Sequence, residues 1–130
     1  MSLDSEDVVQ IALPQREDSA KIVRLTTAVV ASRVGLNLDQ ADDLNTALDE
    51  LFRLFLNEND PPHPRFYVRY TIGAADLEVV AKGISQNLFD DSSKMNRFSR
   101  FILEKVADKV EEIPSPQGGY EVVIVKSLSA

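Results

Sequence analysis

The sequence predicts an α/β fold: a two-layer sandwich in which three helices cover one face of a mixed, mostly antiparallel sheet. Apolar residues recur every three to four positions in the longer segments, and alternate or run β-branched in short ones. These segments follow in the order strand, helix, helix, strand, strand, helix, strand, a segregation that suits helices packed on one side of a sheet. At 130 residues, 44% of them hydrophobic and 27% charged, the chain can bury its own core. Residues 1–130 are therefore read as a single domain.

Val8 to Leu13 is apolar and rich in β-branched residues, and Pro14 closes it as an opening strand. Asp18 or Ser19 caps a first helix with apolar positions Ile22, Leu25, Val29 and Val30, and Gly35 ends it in a left-handed conformation. Asp39 starts a second helix, with Asp42 and Asp43 near its positive end and Leu44, Leu48, Leu51, Phe52 and Phe55 as its buried stripe. The prolines at 61, 62 and 64 force a turn. Strands Phe66 to Ile72 and Leu77 to Ala81 then form a hairpin, with Phe66, Val68, Tyr70 and Ile72 on one face. Lys82 to Lys94 reads as a polar connection. A third helix is expected from Met95 to Glu112, with Phe98, Phe101, Ile102, Val106 and Val110 turned inward, and Tyr120 to Val125 is the last strand.

Fourteen basic against 21 acidic residues give a net charge of −7, which repels phosphate backbones, so no nucleic-acid partner is expected. The same field favours encounter with a basic protein partner. The absence of cysteine excludes a disulfide framework and thiolate metal sites. The first ten residues lack the pattern of a signal peptide, and no apolar run approaches the roughly 20 residues of a membrane helix. A cytoplasmic location away from the membrane is expected.

His63, the single histidine, lies among prolines in a turn, and the chain has no catalytic serine triad, HExxH or P-loop. Asp42-Asp43 and Glu111-Glu112 read as helical surface charge, and no metal site is expected. The informative residues are Arg24-Leu25-Thr26 and Ala31-Ser32-Arg33-Val34-Gly35 in the first helix, and Ala47 to Leu54 in the second. With Leu77-Glu78-Val79-Val80 and Leu103 to Val110, they resemble in order and spacing the serine-kinase anti-sigma factors of the histidine-kinase-like ATPase superfamily. The match is colinear over about residues 8 to 126.

The resemblance implies an ATP site, and the chain departs from it at most of its contacts. The family's second-helix box holds a glutamate, the general base, and four residues later an asparagine that binds magnesium. Glu50 stands at the first position and Leu54 at the second, and a leucine offers Mg²⁺ no oxygen. Where the family carries an aspartate and glycines after the LEV strand, this chain has Ala81-Lys82-Gly83-Ile84-Ser85. Where glycines approach the phosphates, it has Asn96-Arg97-Phe98-Ser99-Arg100, leaving Arg97 and Arg100 as the remaining phosphate attractors. No cofactor is expected, with ATP and Mg²⁺ bound only if this altered site still works.

In the family an arginine matching Arg24 touches both the sigma factor and the rival anti-anti-sigma protein of STAS type. Arg24, with Arg33 on the same helix, is therefore the expected partner contact, and the family's pairing through sheet edge and first helix implies a homodimer. The function expected is an anti-sigma regulator working by partner switching without kinase activity. The alternatives are an active serine/threonine kinase using Glu50 on a STAS protein, and a scaffold or sensor module on the same fold.

Overall fold

Strand β1 (Asp7–Pro14) leads into helices α1 (Ser19–Val34) and α2 (Leu38–Leu56), then strands β2 (Arg65–Ile72) and β3 (Asp76–Ile84). Helix α3 (Lys94–Val106) and strands β4 (Lys109–Pro114) and β5 (Tyr120–Ser127) follow. This is a computed structural model that describes residues 7–128; the reading of the chain start as free of a leader falls mostly outside them. The five strands lie in the order β1-β2-β3-β5-β4, and every neighbouring pair is antiparallel. The two-layer α/β sandwich is the expected one, although the sheet is wholly antiparallel and not mixed.

Alternation along β2 sorts the sheet's faces. Phe66, Val68 and Tyr70 are buried under the helices, whereas Tyr67 and Arg69 are exposed on the uncovered side. From α2, Phe52 meets Phe66 edge-on at 5.3 Å between centroids, and Phe55 lies 5.5 Å from the same ring. Beneath α1, the Thr27 and Tyr70 hydroxyls share a buried hydrogen bond of 2.7 Å.

Burial pushes the Tyr70 phenol up from 10.0 to about 12, an effect the Thr27 hydrogen bond partly offsets. Because the folded value is raised, the neutral phenol's contribution is complete below pH 10 and is lost as pH rises toward 12. Two units correspond to roughly 2–3 kcal/mol. Urea unfolding followed from neutral pH to pH 12 is expected to show this alkaline loss, and Tyr70→Phe is expected to flatten it.

The third helix corrects the sequence reading. It ends at Val106, not Glu112, and Lys109–Pro114 forms a strand on the sheet edge. Val106 closes the helix and Val110 lies in the strand, so the four-residue spacing that suggests one helical face spans two elements. The inward set differs too. Ser99 and Leu103 are buried, while Phe98 and Phe101 point outward at 61% and 59% exposure. On α1, Val23, Thr27, Val30, Ala31 and Val34 face the core, and Ile22, Leu25 and Val29 lie outside. The connection after β3 is shorter and less polar than expected, since β3 runs on to Ile84 and Leu88 is fully buried.

Lys126 of β5 points inward and is nearly buried. Its ammonium donates to Asp43 Oδ2 at 2.9 Å and to the Val106 carbonyl at 2.8 Å. One cation thus ties α2, the end of α3 and the sheet together, and Asp43 is a paired residue and not free surface charge.

Candidate functional site

Helix α2 is set at its start by Asn37, whose side chain accepts from the Gln40 backbone while Gln40 reaches back to the Asn37 N–H. From that start its buried stripe carries Glu50 into the interior at 8% exposure. Both carboxylate oxygens are engaged. Arg53 donates Nε to Oε1 at 3.2 Å and a terminal nitrogen to Oε2 at 2.5 Å, one helical turn away. The Ser99 hydroxyl, from α3, donates to Oε2 at 2.6 Å and is itself fully buried. The carboxylate beside Arg53 raises the guanidinium's pKa further above its ordinary value, against a smaller opposing effect of burial. Glu50 is therefore neither solvated nor free; it is the acceptor that fastens α3 to α2.

Leu54, on the same face of α2, is buried within the hydrophobic core. Above it the segment from Ser85 to Ser93 is tied down. Leu88 inserts its side chain into the core, and its N–H donates to Glu112 Oε2 at 2.6 Å. Burial raises the Glu112 pKa, while the N–H groups of Leu88 and Phe89 and the Arg100 charge pull it down. At the other end Glu58 accepts from the Ser85 N–H at 2.8 Å, and Asn96 donates to the Asn87 carbonyl at 3.0 Å.

Arg97 and Arg100 also hold this segment. Arg97 donates to the Asp91 carbonyl at 2.7 Å, and Arg100 pairs with the Asp91 carboxylate at 2.7 Å with its guanidinium 5.2 Å from the Phe89 ring. Lys82 is not brought to Glu50. It lies on the uncovered face of the sheet, in the cross-strand row with Tyr67 and Glu121, and pairs with Glu121 at 3.3 Å. Gly83 sits at a bulge with φ +121°, where a Cβ would stand 3.1 Å from the Phe55 ring and 3.2 Å from the Arg65 carbonyl. Its glycine is explained by close packing on Phe55.

The two expected partner-binding residues lie on α1. Arg24 donates Nε to Asp49 of α2 at 3.1 Å, and its side chain stays 54% exposed. Arg33 pairs with Asp7 at the start of β1. Ile22, Leu25 and Val29 share the outward face, Leu25 being 70% exposed. Between this face and edge strand β1, Val9, Leu25, Thr26, Val29 and Arg33 line a shallow groove of about 290 Å³.

Sequence reasoning missed Ser99, Leu88, Glu112 and Lys126. For Ser99 periodicity gave no signal: Ser99 and Leu103 stand four apart, but the face they define is narrower and less apolar than the one through Phe98 and Phe101. Among the described residues no cluster of three His, Asp or Glu side chains could hold a metal ion, and no helix is long and apolar enough to cross a membrane.

No family model matches the chain. Over 126 residues, 95% of this chain and 75% of the relative, the sequence is 26% identical to the serine-protein kinase RsbW of Bacillus velezensis.

Proposed function

We propose that this chain is a cytoplasmic, homodimeric regulator of the anti-sigma type, one that binds a sigma factor and an anti-anti-sigma protein in turn on its α1 face and phosphorylates neither. The observation that carries this reading is the engagement of the Glu50 carboxylate by Arg53 and Ser99. A general base must have a lone pair within reach of the proton it removes. Glu50 directs both oxygens at donors of its own chain.

The residues at this place do not fit a magnesium-bridged triphosphate. The Leu54 side chain has no oxygen to give, Leu88 of the connection after β3 is buried in the core, Ser99 is taken up by Glu50, and Lys82 is on the opposite side of the sheet. Losing two or three contacts of about 1.5–3 kcal/mol each weakens a micromolar nucleotide site on the order of a thousandfold. Switching therefore rests on competition for one surface. The α1 face supports this with exposed Leu25 and Val29 beside Arg24, an arginine flanked by apolar side chains being a common interface anchor. The adjoining edge of β1 gives a homodimer a strand to pair with.

The RsbW name favours the kinase as a second reading. Titration with Mg²⁺ and ATP, run beside binding assays with candidate sigma factors and STAS proteins, separates the two. Partner binding without nucleotide, and no saturation at micromolar ATP, is expected. Saturation at micromolar ATP, with phosphate transferred to the STAS protein and lost on Glu50→Ala, means a kinase.

A further inference from the structure

We propose that the outward face of α3 is a second docking surface, built to receive an acidic amphipathic helix of a protein partner. Met95, Phe98 and Phe101 are 64%, 61% and 59% exposed, three large apolar side chains spaced three apart on a helix that buries mainly Ser99 and Leu103. Nothing among the described residues covers them, and clustered exposed apolar side chains of this size mark interaction sites. The arrangement is distinct from the α1 face and does not depend on a sigma factor binding there.

The occupant's chemistry follows from what borders the aromatic pair. Lys94, Arg97 and Lys105 are exposed on the same side of α3, and none forms an ion pair among the described residues. Arg97 is spent only on a backbone carbonyl, and Lys105 stands 5.8 Å from the Phe101 ring. The one nearby carboxylate on the helix, Glu104, leans toward Arg100 at 3.9 Å. In a chain of net charge −7 this is a local concentration of unpaired cations around an apolar ridge.

From Lys94 to Lys105 the ridge is about 17 Å long, matching three turns of a facing helix. Apolar anchors at i, i+3 or i+4 and i+7 on such a helix would seat against Met95, Phe98 and Phe101, and its flanking carboxylates would meet the three cations. An anionic membrane fits less well, because a flat surface also meets Asp90, Asp91 and Glu104 and the acidic remainder of the domain.

The test uses the full chain, isotopically labelled, and a synthetic peptide of about 15 residues with leucines on one helical face and glutamates elsewhere. Amide shifts centred on α3 are expected. Affinity should fall at least tenfold in the double variant F98S/F101S and in K94E/K105E, and severalfold when salt is doubled. These side chains are exposed, so unchanged melting temperatures confirm that both variants fold. Shifts centred elsewhere, indifference to either variant, or equal affinity for the same peptide with lysine in place of glutamate overturns the proposal. So does tighter binding to phosphatidylserine vesicles than to the peptide, or self-association that both variants abolish; those results assign the ridge to a membrane or to a second copy.

Discussion

Glutamate introduced together at positions 25 and 29 is expected to weaken partner binding a hundredfold or more while leaving the fold intact. Leu25 and Val29 are 70% and 62% exposed, so neither substitution opens a cavity or buries a charge in the free domain. In a complex both positions lose water, and each new carboxylate must then be stripped of its hydration without a counter-ion. Hot-spot positions cost at least about 2 kcal/mol apiece on truncation, and two such losses exceed a hundredfold. Calorimetric titration with the sigma factor, alongside melting curves, reads both halves of the prediction. Unaltered affinity would remove α1 from the interface and, with it, the proposed switch.

The second large effect concerns Glu50. Glu50→Ala is expected to destabilise the domain by about 2–3 kcal/mol, because hydrogen bonds to a charged acceptor from Ser99 and Arg53 disappear together. The figure lies below the cost of breaking a fully buried pair, since Arg53 is 43% exposed and recovers water. Glu50→Gln keeps an acceptor for Ser99 and should fall between the two. Catalytic residues behave oppositely: a site held ready for substrate is strained, and removing its key group commonly stabilises the fold. Urea midpoints of the three proteins give the sign. A gain in stability on Glu50→Ala would revive the base.

The elements that could be read in advance are those in which local chemistry and tertiary need agree. Gly35 adopts φ 96° and closes α1 as a left-handed cap, and the apolar run on α2 faces the core. The hairpin of β2 and β3 pairs in the phase that places Phe66, Val68 and Tyr70 together. Misreading begins where two elements satisfy one pattern. The apolar spacing runs from Val106 at the end of the helix to Val110 in a strand. The chain after Val106 pairs with β5, a partner found only downstream, while Lys126 of β5 donates to the Val106 carbonyl.

The site was legible in part. Glu50 and Leu54 stand out through the family resemblance, but Ser99, which also occupies Glu50, belongs to another helix. Ser99 turns inward because a buried carboxylate needs donors more than the core needs another phenyl ring. No periodicity argument weighs that exchange. Lys82 illustrates the opposite failure: adjacent positions on a strand face opposite ways, and alternation from buried Ala81 puts Lys82 on the far side from the helices.

The order of strands leaves two unequal borders. β4, six residues long, carries Lys109, Glu111 and Glu112 and ends in Pro114, features that deter another strand from adding. β1 at the other margin is eight residues long and mainly aliphatic, without such guards in its middle. Strand addition is therefore easier at β1 than at β4, and a pairing through β1 would favour closure after two copies over growth into a fibre.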